Sequence, residues 1–380
     1  MKLLTFNIFS YISTPNLLTI NQNFLTMKKV LLAFAILTSL IQTSCSSDND
    51  SGDNNTTPEA ITSITVTSSS SNVDLGTSVI FSAIGNNNAS VSSNSTFYVN
   101  GNAITGRTYA TVTAGTLDIY ATYVNTNGQT LTSPTIQVVV NPVINFNKRV
   151  LIEDFTGTWC QFCPRVSYAI ELVKAQTTDV VVTAIHRGND PYNFSGASVL
   201  EDQIGLSGYP TAMLNRSTEW NYPETSSSSI DQAVNLTSGV NPKLGVALET
   251  TTTGNTSTVN VKVKFGKNFN SNLKLVVYAL EDNLIYNQTN STTYYGGVNP
   301  IVNFEHDHVL RAVLSSSILG ENITGSTSYN SEYSKSFTYT IPSNVNASNV
   351  RFVAFVIDSS NAALNSRDAG PNETQSFEIE

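Results

Sequence analysis

The chain has 380 residues, more than one ordinary hydrophobic core holds, so two or three domains are expected. Hydrophobic residues make up 40% and charged residues only 12%, with Ser, Thr and Asn filling the difference; that balance suits β-rich exported modules better than helical cytosolic enzymes. The formal net charge of −9 is spread thinly and no basic patch forms, which argues against nucleic acid as a partner.

Residues 1–26 are mixed in character and carry little charge. Met27-Lys28-Lys29 then opens a second start, followed by the apolar run Val30 to Ile41. A short basic segment before about a dozen apolar residues reads as a secretory signal, too short to span a bilayer comfortably. The expectation is a true start at Met27, with 1–26 arising from an upstream start assignment and 27–44 as the signal peptide. Cys45 follows in Gln42-Thr43-Ser44-Cys45, which resembles a bacterial lipoprotein lipobox, although position −3 is Gln42 where Leu or Val is usual. That resemblance implies acylation of Cys45 and a lipid anchor. Residues 45–59 are polar, acidic and Gly-containing, and read as a disordered tether.

Residues 60–142 show short strand-like runs separated by Gly, Asn and Ser clusters: Ile61–Ser68, Ser78–Ala83, Ser95–Val99, Thr108–Val112, Thr116–Tyr123 and Thr135–Val140. Asn100-Gly101 is a tight-hairpin signal. The spacing suggests an immunoglobulin-like (Ig-like) β-sandwich, acting as a spacer or a binding module. Residues 143–240 change texture. Lys148–Phe155 reads as a mostly apolar strand, Asp179–His186 as a buried parallel strand, and Tyr209–Asn215 as another strand. Pro164–Gln176, Ala197–Ile204 and Ser229–Leu236 read as helices; Val166, Ala169, Ile170 and Val173 mark the apolar face of the first. The alternation is that of an α/β domain. Residues 241–380 return to β texture, with strand candidates at Leu244–Thr250, Ser257–Phe265, Leu273–Leu280, His308–Leu314, Ser334–Ile341 and Val350–Ile357. A C-terminal β-sandwich is expected there.

Of the three cysteines, Cys45 is assigned to lipidation, which leaves Cys160 and Cys163 with no third thiol to bridge to. The pair lies between a strand and an amphipathic helix. A helix N-terminus lowers a thiol pKa and so favours the attacking thiolate. The i, i+3 spacing lets the second thiol resolve a mixed disulfide. Cys160 is therefore the expected nucleophile and Cys163 the resolving thiol, with Pro164 suited to the first helical turn.

The run Leu151 to Pro164 resembles the thioredoxin active-site strand and turn. The resemblance implies a role for Trp159 before the first Cys, for Asp154 as a buried acid moving the resolving thiol's proton, and for Pro210 in Gly208-Tyr209-Pro210-Thr211 as a cis-Pro facing the Cys pair. Three segments carry a narrower resemblance: Phe155 to Cys160, Gly208 to Thr211 with Asn215-Arg216, and Glu305 to Arg311. Over roughly 143–365 they look like the Omp-related lipoprotein family of Bacteroidota, named after a twenty-eight-kilodalton outer-membrane protein. That resemblance implies an exported outer-membrane lipoprotein with a thioredoxin-like domain followed by a β domain, facing either the periplasm or the outside.

The expected fold is thus multidomain: an Ig-like β-sandwich, an α/β thioredoxin-like domain and a C-terminal β-sandwich. The expected function is a membrane-anchored thiol–disulfide oxidoreductase acting on protein thiols and disulfides of the envelope, without cofactor or metal. The alternative is a non-enzymatic surface lipoprotein that binds glycan, matrix or envelope protein through its β modules. A Cys2His2 zinc site drawing on Cys160, Cys163, His306 and His308 is the weaker rival. On a strand, His306 and His308 would share a face.

Overall fold

The computed structural model describes residues 60–239 and 241–380. The expected start at Met27, the signal peptide over 27–44, the acylated Cys45 and the tether over 45–59 lie outside the described residues.

Residues 64 to 141 build two sheets around one core. Ile64–Ser68, Ser78–Gly85 and Thr108–Ala110 form a three-stranded sheet; Gly115–Val124 and Ile136–Asn141 are in a six-stranded one. In Ser78–Gly85 the residues Val79, Phe81 and Ala83 are buried while Ile80 and Ile84 face solvent, the period-two pattern of a strand packed on one side. Asn100 and Gly101 both have positive φ, 50° and 79°, between the paired residues Val99 and Asn102. A type I′ turn requires that conformation at both positions.

The rest of the chain is organised by one nine-stranded sheet. Its main strands are β1 (Val150–Thr156), β2 (Val180–His186), β3 (Thr211–Leu214) and β4 (Lys274–Glu281). After β4 a separate two-stranded hairpin intervenes, β5 (Leu284–Gln288) and β6 (Ile301–His306). The large sheet resumes with β7 (Val309–Val313), β8 (Val350–Ile357) and β9 (Ala363–Ala369). Across it the order is Thr218–Glu219, β3, β1, β2, β7, β4, β8, β9, with Glu321–Asn322 beside β4. β1 and β2 run parallel, and β2 meets β7 in parallel where Ala184 pairs with Val309.

Three short α-helices accompany these strands: α1 (Pro164–Lys174), α2 (Ser198–Ile204) and α3 (Ser227–Val234). Pro164 starts α1, where its missing N–H is harmless. The expected apolar stripe of Val166, Ala169, Ile170 and Val173 is buried. The Ser226 hydroxyl caps α3 by accepting from the Ser229 N–H.

This architecture corrects the expected fold class. No separate α/β thioredoxin-like domain stands between two β-sandwiches. The described chain is mostly β-sheet, and β1, β2 and β3 are one flank of a sheet that β7, β4, β8 and β9 complete. The core shows why. Leu151 and Phe155 of β1 share a buried cluster with Tyr278, Val353 and Phe355 of the later strands. Separating the two segments would bare that face to water, at roughly 25 cal/mol per Å² of apolar surface. The opposite face of β4 and β8 packs on a three-stranded sheet of Leu244–Thr253, Thr256–Phe265 and Glu332–Thr340. On the β1 side, the opposite face packs on α1 and α3 through Val150, Ile152, Val166, Ala169 and Ile230.

Candidate functional site

Cys160 and Cys163 form a disulfide in the loop between β1 and α1. The loop is held by its own turns: Cys160 N–H donates to the Gly157 carbonyl (2.9 Å), and Cys163 N–H to the Cys160 carbonyl (3.2 Å). Both cysteines are almost closed to solvent, 3% and 1% exposed, while the neighbouring Trp159 and Phe162 are 42% and 45% exposed. The Trp159 ring lies across two glycines. A Cβ on Gly157 would meet its Nε1 at 2.6 Å, and one on Gly188, whose φ is +77°, at 3.1 Å. The indole N–H donates to the Arg187 carbonyl (2.7 Å), and the ring meets Tyr209 edge-on. Tyr209 in turn donates to Glu201, which is ion-paired with Arg187.

The Tyr209–Pro210 peptide is cis, and the antiparallel register sets Thr211 opposite Phe155, so Pro210 enters the sheet beside the end of β1 that leads to the Cys loop. Asp154, on the same strand, is buried, and its Oδ1 has no hydrogen-bond partner. Loss of solvation and the nearby Glu224 carboxylate push its pKa up to about 8, against the pull of Arg165.

Asp154 also lines a cleft of about 610 Å³, open mouth included, whose floor holds Thr156, His186, Gln288 and His306 and whose rim holds Glu171, Lys174, Glu305 and Asp307. His186 Nδ1 lies 3.1 Å from Asp190, and its ring is edge-on to that of His306. Burial, with His186 beside it, pulls the His306 pKa down to about 4, and its Nε2 is unpartnered. His308 does not share this face. Its positive φ, 59°, breaks the strand alternation, and it pairs with Asp282 (3.3 Å) and contacts Lys174. Cys160 and Cys163 are bonded to each other, and the two histidines turn to different partners. Among the described residues no group of three or more His, Cys, Asp or Glu is placed to hold a metal ion.

Two features escaped the sequence reading. One is Gln288, at the end of β5, whose side-chain amide donates to the carbonyls of Gly157 (3.2 Å) and Cys160 (2.9 Å). The other is a buried triad: Arg216 makes two bonds to Glu153 (2.6 and 3.0 Å) and a third to the Tyr278 hydroxyl. The Asn215-Arg216 dipeptide is legible as a motif, but its partner one strand away is not.

The fold and site are those of a β-rich protein whose disulfide-bearing loop is built into a composite sheet. Residues 197–375, a little under half of the chain, match the family model "Outer membrane protein Omp28". The match is that of a cell-envelope protein, and it bears out the resemblance over Gly208–Thr211, Asn215-Arg216 and Glu305–Arg311; Phe155–Cys160 lies outside it, and it carries no thioredoxin-like domain. Among the described residues no helix is long and apolar enough to cross a membrane, which says nothing of a β-barrel. No curated protein matches the chain. Among solved structures it is similar to HBP35 of Porphyromonas gingivalis, at 19% identity over 60% of this chain and 77% of that one, with a TM-score of 0.48. It is also similar to the Clostridium thermocellum CbhA fibronectin(III)-like modules, at 11% identity over 82% and 94%, with a TM-score of 0.24. Both scores fall below 0.5, so the fold rests on the sheet order and cores described above.

Proposed function

We propose that this is a non-enzymatic surface protein of the cell envelope that binds a glycan, matrix or envelope-protein partner through its β modules. The observation that carries this reading is the β5–β6 hairpin. It lies outside the large sheet, and Ile285, Tyr286 and Val302 are 53%, 50% and 63% exposed there, with Val298 at 53% in the connecting loop. Apolar side chains gathered on an exposed hairpin are a usual mark of an interaction site. The near-complete burial of Cys160 and Cys163 fits a disulfide that staples this region. The test is binding of the full chain to immobilised outer-membrane fragments, purified surface polysaccharide and matrix protein. Ile285→Asp with Val302→Asp is expected to weaken binding at least tenfold, and Cys160→Ala with Cys163→Ala to leave it within threefold. Absence of saturable binding to all three materials sinks the reading.

A second reading is thiol–disulfide exchange with envelope proteins, favoured by a disulfide placed where a strand turns into helix α1, between exposed Trp159 and Phe162 and near the uncompensated Asp154. In the balanced reaction a partner thiolate attacks Cys160 Sγ, the Cys160–Cys163 bond breaks, and Cys163 leaves as a thiolate that takes up a proton. The partner's second thiol then displaces Cys160 and closes the partner's disulfide. Asp154 is the proton donor in this scheme, and Trp159 and Pro210 flank the pair. Insulin reduction driven by dithiothreitol, abolished in Cys160→Ala, is the expected result. Equal rates in wild type and variant remove this reading.

A further inference from the structure

The loop carrying the disulfide is gripped from outside by a strap that runs on from β5. Gln288 is buried, 3% exposed, and its amide donates to the Gly157 and Cys160 carbonyls. Thr289 N–H donates to the Thr158 carbonyl (2.8 Å), and Ser291 N–H to the Gln161 carbonyl (2.7 Å). The Ser291 hydroxyl adds a bond to the Gln161 side chain (2.8 Å). Five hydrogen bonds thus run from a four-residue strap to the five residues Gly157–Gln161. Thr158 N–H is held from another side by Asp190 (2.5 Å).

We infer that the Gln288–Ser291 strap sets the thiol–disulfide equilibrium of Cys160–Cys163, with Gln288 as the positioning residue. The bonds go to carbonyls of the loop in its disulfide-closed form. Reduction frees the two sulfurs to separate, which lets the Cys160 carbonyl turn away from the Gln288 amide. A contact made better in one state than in the other shifts the equilibrium toward the first. The amide keeps its bonds to the Gly157 and Thr289 carbonyls (3.2 and 3.0 Å) but loses its 2.9 Å acceptor at Cys160, and a buried donor that loses its shortest bond is the unfavourable outcome, so the strap favours the disulfide. This holds whether the pair turns over with partners or serves only as a staple.

The experiment measures the fraction of reduced Cys160–Cys163 in the full chain by thiol alkylation across reduced and oxidised dithiothreitol mixtures. In each step two electrons pass from dithiothreitol, which closes its own disulfide, to the Cys160–Cys163 bond, and both sulfurs end as thiols. Gln288→Leu keeps the size and removes the donors; Gln288→Glu keeps the shape and turns a carboxylate toward the carbonyls. Both variants are expected to become reduced at about one-tenth of the reduced-to-oxidised ratio that wild type needs, a shift of about 30 mV for this two-electron couple. Asn287→Ala is the control. Asn287 accepts from Asn303 N–H within the hairpin, and the variant should titrate with wild type. If wild type resists reduction throughout, the Gln288 variants are still expected to yield. Identical titrations for wild type and both variants, or variants harder to reduce, overturn it. Circular dichroism of the oxidised variants confirms that they are folded. Insulin reduction is scored separately, so loss of the exchange reading leaves this result standing.

Discussion

The two faces of strand β1 treat a buried carboxylate in opposite ways. Glu153 points to the side shared with Tyr278 and Phe355, where Arg216 meets it with two hydrogen bonds in a fully enclosed pair. Asp154, the next residue, points to the side of helix α1, where no partner meets its Oδ1, and burial and the Glu224 carboxylate outweigh the pull of Arg165. The difference lies in what each face is for. The Glu153 face joins early and late strands, so a satisfied pair there fixes the register between β1 and the turn after β3. The Asp154 face borders a cleft, where an unpaired acid holds its proton up to about pH 8.

Four measurements break or sharpen that contrast. The largest effect is expected at the paired face. Arg216→Met should cost about 3–5 kcal/mol in urea unfolding, because it strands the Glu153 charge; Glu153→Leu added to it should recover much of the loss. If the single variant is as stable as wild type, the pair does not hold the register. At the unpaired face, Asp154 binds a proton in the folded state up to about pH 8 and in the unfolded state only near pH 4. The folded state therefore holds more protons between these values, and stability falls as pH rises through that window, by at most about 1.4 kcal/mol per unit. Asp154→Asn should remove the slope.

His306 acts with the opposite sign. It is neutral when folded down to about pH 4 and charged when unfolded below about 6.5, so its contribution to stability is lost as pH falls through that window. The two slopes oppose each other between about pH 4 and 6.5, and the Asp154 decline emerges above it. His306→Gln should uncover that decline at lower pH, an effect smaller than that of Asp154→Asn; a profile unchanged from wild type would count against a neutral buried imidazole. The smallest effect is expected at the exposed pair Lys262–Glu249, whose side chains are 40% and 39% exposed. Lys262→Ala should change stability by less than about 1 kcal/mol, the range of surface ion pairs.

Much of the local structure was legible. The runs now seen as β1, α1 and β2 were readable because each follows a single period or an unbroken apolar run, and Asn100-Gly101 named its own turn. The hairpin β5–β6 was not readable. Its residues are largely exposed, so no alternation of polar and apolar marks it. Strand β9 was missed for a related reason, since Ala363-Leu364-Asn365-Ser366-Arg367-Asp368-Ala369 has no β-branched residue. The error in fold class came from a non-local fact. The pairing of Ala184 with Val309 joins segments far apart in sequence, and local periodicity carries no record of it. At the site, Cys160, Cys163, Trp159, Asp154 and Pro210 were legible from a local motif and a Tyr-Pro-Thr turn, whereas Gln288 was invisible because it reaches the Cys loop from a hairpin the pattern did not reveal.

The composite sheet also bears on the order in which the protein can be made. A chain synthesised and exported from its N-terminus offers β1, β2 and the Cys loop long before β7, β4 and β8 exist to cover their shared face. Asn365, near the end of the sheet, accepts from Arg149 N–H and donates to the Asn147 carbonyl at the start of β1. Until that late segment arrives, the first flank is an open strand edge with an uncovered apolar side and an unguarded thiol pair. Such intermediates are prone to aggregate and to form wrong pairings. The disulfide-bearing loop should therefore reach its clamped form among the last events of folding.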